Sequence, residues 1–285
     1  MRFHIVDVFT QRRYAGNQLA VVESRGELSS KTMQRIAAEM DYSETTFIES
    51  FDANGGYDVR IFTPTEEIPF AGHPTLGTAA VLRERTAEDG DRDAEIALDL
   101  PVGTIPVRSE HDGERETLWM RQQQPEFGEQ LDREPVAAAL SLSTNELSAD
   151  QPVQIVSTGL PTIVVPLTDR SALEAATIDR SAYDALVESR DAKNVFIFCD
   201  EPRNDDNDLA ARMFAPYHGV PEDPATGSAN GCLAGYLVEQ GTDDVALRVE
   251  QGYEMGRPSL LHLRADEHSI EVGGSVVRVA TGELL

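Results

Sequence analysis

Glu44 is a carboxylate placed where it could do acid/base chemistry. It lies between a segment whose apolar residues recur at helical spacing (Met33, Ile36 and Met40) and an apolar run, TTFI, at residues 45–48. A carboxylate at the entrance to a buried strand costs free energy unless it is partnered or functional. Desolvation there would strengthen it as a base, which suits a group that takes a proton and later returns it. The other interpretation is an ordinary glutamate in water, at a helix end or on an edge strand.

Two motifs occur twice in the same order. RIFTP at residues 60–64 is matched by RMFAP at 212–216, and HPTLGTA at 73–79 is matched by DPATGSA at 223–229. Two ordered matches at nearly equal spacing favour duplication of one unit over coincidence. The sequence therefore predicts two similar lobes, whose facing helix starts would share a cleft.

Each copy of the second motif leads from a small-residue turn into a helix-like run. The unpaired N–H groups and partial positive charge of a helix N-terminus suit a substrate carboxylate. Gly72, Gly77 and Gly227 would allow close backbone approach, and Thr78 and Ser228 would supply hydroxyl donors. The alternative is that both motifs are only tight strand–turn–helix joints capped by Asp, Ser and Thr.

His73 and Asp223 stand just before proline in the two copies, so lobe symmetry would bring them near each other. Such a pair can orient a substrate and tune a proton on it. No two histidines have the i, i+4 spacing of a helical metal site, so a metal is not expected. No cofactor is expected either. The remaining histidines are interpreted as surface or structural residues: His4, His111, His218, His262 and His268.

The acid/base chemistry is expected to be one-sided. The region of the second copy that corresponds to Glu44, residues 192–197 (AKNVFI), has no carboxylate at the matching place. The chain has only two cysteines, Cys199 and Cys232, which form neither a disulfide framework nor a metal motif.

The elements that must position these residues are short. Alternating segments dominate, and helices are predicted at about 30–40, 75–85 and 226–239. This pattern indicates an α+β chain with mainly antiparallel sheet. We expect an N-terminal lobe of residues 1–121 plus 272–285 and a C-terminal lobe of residues 122–271.

Charge is the strongest signal in the composition. Fifty acidic residues oppose 24 basic ones, a formal net charge of −26, and Lys31 and Lys193 are the only lysines. Such an excess repels nucleic acid and anionic membranes, so neither is expected as a partner. The acid-rich, lysine-poor composition is typical of salt-adapted proteins and predicts a halophilic source. The start of the chain lacks a signal-peptide pattern, so a cytoplasmic location is expected.

Several strings in the chain resemble the phenazine-biosynthesis PhzF-like family. They are DVFT at 7–10, GN at 16–17, SETTF at 43–47, FAGHPTLGTA at 70–79, EDPATGSA at 222–229, and QG at 251–252 with MGRPS at 255–259. The resemblance covers nearly the whole chain in the expected order. It implies the diaminopimelate epimerase-like fold, with two pseudo-symmetric lobes that are each a curved sheet around a central helix. It also implies a homodimer.

The resemblance implies roles for the residues singled out above. Glu44 would move a proton from one carbon to another, and His73 and Asp223 would orient the substrate. Ser228 and the Gly227 amide would bind a carboxylate. The further substrate-binding candidates are Asn17, Gly72, Gly77 and Thr78. The family's founding activity is isomerisation of trans-2,3-dihydro-3-hydroxyanthranilate to an enol that becomes a ketone.

Two other functions are weighed against this isomerase. Epimerase and racemase relatives use two opposed cysteines, and the corresponding positions here hold Ala71 and Ala225. A non-catalytic protein that binds a small acid is the other alternative. The resemblance assigns no role to Arg257 or to the two cysteines.

Overall fold

A computed structural model describes residues 1–51, 56–88, 95–113 and 115–285 of the chain. The chain folds as two compact units, Met1–Arg121 with Gly273–Leu285 and Gln122–Val272. The sequence placed the return of the chain to the N-terminal lobe at residue 272, and the structure places it one residue later, at Gly273. None of the helices in the described part of the chain is long and apolar enough to cross a bilayer.

The first unit holds nine strands and two helices among its described residues. The strands are β1 (Arg2–Val8), β2 (Asn17–Glu23), β3 (Thr45–Phe51), β4 (Gly56–Phe62), β5 (Glu67–Ile68), β6 (Ile96–Leu100), β7 (Gly103–Asp112), β8 (Arg115–Arg121) and, at the end of the chain, β18 (Val276–Glu283). The helices are α1 (Ser30–Met40) and α2 (Gly72–Glu88).

Helix α1 forms where the apolar spacing predicted it. Ser29 caps its first turn by accepting a hydrogen bond from the backbone N–H of Thr32, and Asp41 ends it in the left-handed conformation. Met33 and Ala37 are buried on the face that packs into the unit. This helix brings the chain to the start of β3, directly after Glu44.

The second unit begins with β9 (Glu126–Leu131), and its elements follow in chain order. They are α3 (Arg133–Ala139), β10 (Val153–Ser157), β11 (Thr162–Pro166), α4 (Arg170–Ala175), α5 (Arg180–Val187), β12 (Asn194–Cys199), β13 (Leu209–Ala215), β14 (Val220–Asp223), α6 (Gly227–Glu239), β15 (Val245–Gln251), β16 (Ser259–Ala265) and β17 (Ile270–Gly274) at the boundary. Short 3₁₀ turns lie at Thr144–Glu146 and Pro216–His218.

The two units repeat one strand topology. In the first, β2 pairs antiparallel with β1 and parallel with β3, and β4 pairs antiparallel with β3 and β5 and parallel with β6. In the second, β11 pairs antiparallel with β10 and parallel with β12, and β13 pairs antiparallel with β12 and β14 and parallel with β15. Helices α2 and α6 each follow the short strand and precede the parallel one. This shared topology supports the duplication that the repeated motifs predicted.

The repeated arginines keep the same partners in both units. Arg60 binds Glu67 through Nε at 2.7 Å and Nη2 at 2.6 Å, and its guanidinium lies 5.2 Å from the centre of the Phe62 ring. Arg212 binds Glu222 through two contacts of 2.9 Å and lies 4.8 Å from the centre of the Phe214 ring. Each pair fastens the short strand (β5 or β14) to its longer neighbour.

The helix starts correct the alignment of the second motif. His73 is the second residue of α2, whereas Asp223 is the last residue of β14 and lies four residues before α6 begins at Gly227. Counted from the helix starts, His73 therefore corresponds to Ser228 and not to Asp223. The shared Xaa-Pro was misleading because Pro74 lies inside the first turn of α2, where a missing N–H is tolerated.

Candidate active site

Glu44 directly precedes β3, and its side chain is 17% exposed. Its Oε2 lies 3.4 Å from Nε2 of His73, whose side chain is 7% exposed. This distance is long for a hydrogen bond, as catalytic contacts often are before a substrate binds. The two residues predicted to do the chemistry in the first unit are therefore side by side and almost shielded from water.

His73 is neutral at physiological pH. Burial lowers its pKa to about 3, against a smaller opposing effect of the Gln18 backbone. The contact with Glu44 is therefore not an attraction between opposite charges. A positively charged ring would weaken the neighbouring carboxylate as a base, and a neutral ring does not have this effect.

Asn17, the first residue of β2, lies against the ring of His73. Its Nδ2 lies 3.3 Å from Nδ1 of the ring, and both side chains are buried. Donation from this NH₂ group places the ring proton on Nε2, whereas donation from the ring to the Gln18 backbone, which raises the pKa of His73, favours the other tautomer. In the first tautomer the N–H of Nε2 lies 3.4 Å from Oε2 of Glu44 without making a hydrogen bond. Asn17 was predicted to bind substrate, and the structure places it against the ring of His73.

Gly16 fixes the backbone that delivers Asn17. Its φ of +69° lies in the left-handed region, and a Cβ there would stand 2.2 Å from the carbonyl oxygen of Val8. Only glycine fits both conditions. Gly16 therefore places the Asn17 side chain, and Asn17 in turn contacts the ring of His73.

Gly77 and Thr78 have different surroundings from those expected. A Cβ on Gly77 would lie 2.5 Å from Leu19 and 2.9 Å from Val8, so this glycine lets α2 pack closely on β1 and β2. Thr78 is fully buried, and its hydroxyl lies 2.8 Å from that of Thr46. Both are inside α2 rather than at its start, so the prediction that they meet a substrate is not supported by their positions. Gly72, by contrast, is the first residue of α2.

Asp223 ends β14 and is held in a polar turn of the second unit. The hydroxyl of Thr226 donates to its Oδ2, and its backbone carbonyl accepts a 2.8 Å hydrogen bond from Nε2 of Gln251. Gly227 and Ser228 are the first two residues of α6, as the sequence predicted for a helix start. Thr226, the N-cap residue, makes no side-chain capping bond to this helix.

The cysteines are poor candidates for proton transfer. Burial raises the pKa of Cys199 to about 11, and it raises the pKa of the thiol of Cys232 as well. The thiol of Cys232 packs between Thr158 and the carbonyl of Leu160, within the core of the second unit. Ala71 and Ala225 carry no group that can exchange a proton. Among the described residues, no cluster of His, Cys, Asp and Glu side chains could hold a metal ion.

The sequence does not predict the hydrogen bonds of Gln251. This residue belongs to the family string QG at 251–252, to which the resemblance assigns no role. Its partners Thr226 and Asn230 lie more than twenty residues away in the chain. Such a contact leaves no local pattern, because it depends on how β15 passes the start of α6.

Comparisons with known proteins agree with the fold and the motifs. A family model described as phenazine biosynthesis-like protein (PhzC-PhzF) matches residues 6–282. The chain is 34% identical to a trans-2,3-dihydro-3-hydroxyanthranilate isomerase of Pseudomonas aeruginosa, over 99% of this chain and 98% of that protein.

Solved structures of similar proteins agree with the match to this family. The chain is similar to a phenazine biosynthesis protein of the PhzF family from Bacillus anthracis, with a TM-score of 0.91, 27% identity, and coverage of 100% of this chain and 99% of the other. It is also similar to a predicted epimerase from Pseudomonas aeruginosa, with a TM-score of 0.85, 36% identity and the same coverage. Because the family model and these relatives match almost the whole chain, the protein belongs to the phenazine biosynthesis-like PhzC-PhzF family.

Proposed function

We propose that this protein is a cofactor-independent isomerase that moves a proton within a small carboxylated cyclic diene. The substrate class is represented by trans-2,3-dihydro-3-hydroxyanthranilate, on which a relative of 34% identity acts by name. The observation that carries the proposal is the contact of 3.4 Å between Glu44 and a buried His73 that is neutral at physiological pH.

The reaction needs one group that removes a proton from a ring carbon and returns it to another. Glu44 takes the proton as a carboxylate, and the electron pair left on carbon delocalises over the conjugated double bonds. Glu44, now a carboxylic acid, delivers the proton to a second carbon, and the enol formed becomes a ketone. Acid/base help of this kind is worth roughly 10²–10⁴-fold in rate. His73 lies 3.4 Å from the Glu44 carboxylate, and with its proton on Nε2 it orients that carboxylate during both transfers.

The second unit supplies the groups that recognise the substrate's polar ends. Gly227 and Ser228 open α6, where backbone N–H groups and the helix dipole favour a carboxylate. Gly72 opens α2 and offers the same chemistry in the first unit. The carboxylate of Asp223 accepts a hydrogen bond from the amino or hydroxyl group of the substrate and orients it. We assign the catalytic roles to Glu44, His73 and Asp223.

A deuterium experiment tests the role of Glu44. With wild-type protein and trans-2,3-dihydro-3-hydroxyanthranilate in D₂O and molar KCl, the Glu44 carboxyl proton exchanges with solvent, and deuterium is expected on the carbon that Glu44 protonates. NMR separates this position from the carbon that takes deuterium when the enol becomes a ketone. Glu44→Gln should slow the reaction by at least about 100-fold. Glu66→Gln, the same chemical change at an exposed position of the first unit, is the matched control and should leave the rate unchanged.

Other outcomes lead to other functions. Equal rates in wild type and Glu44→Gln would reject the assigned base. Inversion of an amino acid stereocentre would indicate an epimerase, although the buried thiols disfavour the two-cysteine mechanism. Binding of the substrate without any exchange would indicate a non-catalytic protein.

We further propose a cytoplasmic homodimer from a halophilic archaeon. The net charge of −26 and the near absence of lysine support adaptation to high salt. Light scattering in molar KCl measures the assembly state, and a monomeric mass would exclude the dimer.

A further inference from the structure

Gln251 is the last residue of β15 and is 1% exposed. Its Oε1 accepts from the backbone N–H of Thr226 at 3.2 Å and from Nδ2 of Asn230 at 3.0 Å. Its Nε2 donates to the carbonyl of Asp223 at 2.8 Å and to the hydroxyl of Thr226 at 3.2 Å. One buried amide thus makes its four hydrogen bonds to a single turn, residues 223–230.

The chemistry of the partners fixes the orientation of this amide. A backbone N–H can only donate and a backbone carbonyl can only accept, so Oε1 must face Thr226 and Nε2 must face Asp223. Asn230 is fixed in the same way, because its Nδ2 also donates to the carbonyl of Thr226 at 3.0 Å. Each of these donors has an acceptor, although Oδ1 of Asn230 is buried without a hydrogen-bond partner among the described residues, and the paired donors favour one conformation.

The network redirects the hydroxyl of Thr226. A threonine at an N-cap usually accepts a hydrogen bond from an N–H of its own helix. Here the hydroxyl accepts from Gln251 and donates to Oδ2 of Asp223, and it makes no capping bond to α6. The same interaction therefore orients the Asp223 carboxylate and keeps the Thr226 side chain off the start of the helix.

Gly252 allows β15 to come this close. Its φ is +76°, and a Cβ there would lie 2.5 Å from the carbonyl oxygens of both Pro224 and Arg257. No other residue fits this position without moving the turn. Gly252 thus lets the chain pass close to the turn between Asp223 and α6, and Gln251 makes hydrogen bonds to that turn.

We propose that Gln251 is a positioning residue that acts through Thr226. It aims the carboxylate of Asp223 and keeps the Thr226 hydroxyl away from the N–H of Ser228, which stays available for the substrate's carboxylate. This inference rests on the proposed function, because it assigns Gln251 to the substrate-recognising groups of the second unit.

The test compares Gln251→Met with Gln154→Met. Both remove a buried glutamine of the second unit, but Gln154 bonds to the carbonyl of Gly128 and not to the turn. Amide hydrogen exchange at Thr226, whose N–H is bonded to the Gln251 side chain, should rise about 10-fold or more in Gln251→Met and stay unchanged in Gln154→Met. In the isomerase assay, kcat/KM should fall roughly 10- to 100-fold for Gln251→Met only.

Thr226 variants separate positioning from general destabilisation. Thr226→Val should lose a similar factor in kcat/KM, and Thr226→Ser, which restores a hydroxyl, should recover most of it. Adding Gln251→Met to Thr226→Val should then cost less than about 3-fold, because both changes break the same interaction.

Unchanged exchange at Thr226, or fully additive losses, would overturn the proposal. So would a wild-type level of kcat/KM in Gln251→Met. A wild-type protein that isomerises nothing would defeat the proposed function instead, and amide exchange alone would then decide whether Gln251 holds the turn.

Discussion

Lys193 occupies in the second unit the position that Glu44 occupies in the first. Each residue directly precedes the strand that pairs in parallel with its neighbour, β12 with β11 and β3 with β2. The Nζ of Lys193 donates to the carbonyl of Val187 at 2.7 Å and lies 4.9 Å from the centre of the Tyr217 ring. The duplicated scaffold therefore carries one carboxylate and one structural lysine at equivalent points, which gives a physical basis for chemistry by a single base.

The buried, neutral His73 predicts a loss of stability in acid. Its pKa is lowered from 6.5 to about 3, so the unfolded chain binds a proton more readily than the folded one between these values. The stabilising contribution is complete above pH 6.5 and is lost as pH falls toward 3, at up to about 1.4 kcal/mol per pH unit. Urea unfolding of wild type and His73→Gln across pH 4–7 measures this difference. Parallel curves for the two proteins would show that His73 does not contribute.

Asn17→Asp is expected to hold the ring proton of His73 on Nδ1. The new carboxylate can only accept, and burial keeps the ring neutral, so Nε2 then carries no proton to offer to Glu44. We expect kcat to fall by about 100-fold with a smaller change in KM. Nitrogen-15 NMR of the ring reads the tautomer directly. A rise in KM with an unchanged tautomer would instead support the substrate-binding role expected for Asn17 from the sequence.

The sequence predicted the fold well because its signals are local or repeated. Alternating runs predicted the strands, and the spacing of Met33, Ile36 and Met40 predicted α1 with the observed bounds. The repeated RIFTP and RMFAP strings predicted the duplication, since each arginine fastens two neighbouring strands. These features depend on residues close together in the chain, where apolar periodicity and turn chemistry act.

The site was predicted less completely because strand pairing and buried side-chain contacts are long-range. The shared Xaa-Pro suggested that His73 and Asp223 are equivalent, but the strand register puts Asp223 opposite Met213, before the helix begins. The predicted helix at about 75–85 begins three residues late, because α2 starts with Gly-His-Pro, which has no apolar period. The contacts from Asn17 to His73 and from Gln251 to Thr226 join segments that have no common pattern.

Gly16→Ala is expected to destabilise the protein far more than Gly256→Ala. Both glycines have a φ of +69°, so both substitutions carry the same backbone strain of about 1 kcal/mol. A Cβ at Gly16 also meets the carbonyl oxygen of Val8 at 2.2 Å, whereas nothing lies within 4 Å of a Cβ at Gly256. We expect an additional loss of about 2 kcal/mol or more for Gly16→Ala in urea unfolding. Equal losses would mean that the β1–β2 turn relaxes, and the positioning of Asn17 by Gly16 would then be wrong.

Stability is expected to increase with salt. The 24 basic residues can pair with at most half of the 50 acidic ones, so repulsion among unpaired carboxylates outweighs ion pairs such as Arg212–Glu222. Raising the ionic strength to 1 M shortens the screening length to about 3 Å and weakens this repulsion. The urea concentration at the unfolding midpoint should therefore be higher in 1 M KCl than in 0.1 M KCl at neutral pH, where the carboxylates are charged.

Two controls separate screening from other salt effects. NaCl at equal ionic strength should reproduce the gain, because screening depends on charge and not on the identity of the ion. Sucrose, which stabilises by exclusion from the protein surface without screening, should add no more than it adds to a protein of low net charge. A midpoint that does not respond to either salt would exclude charge repulsion as a limit on stability and remove the support for a salt-adapted origin.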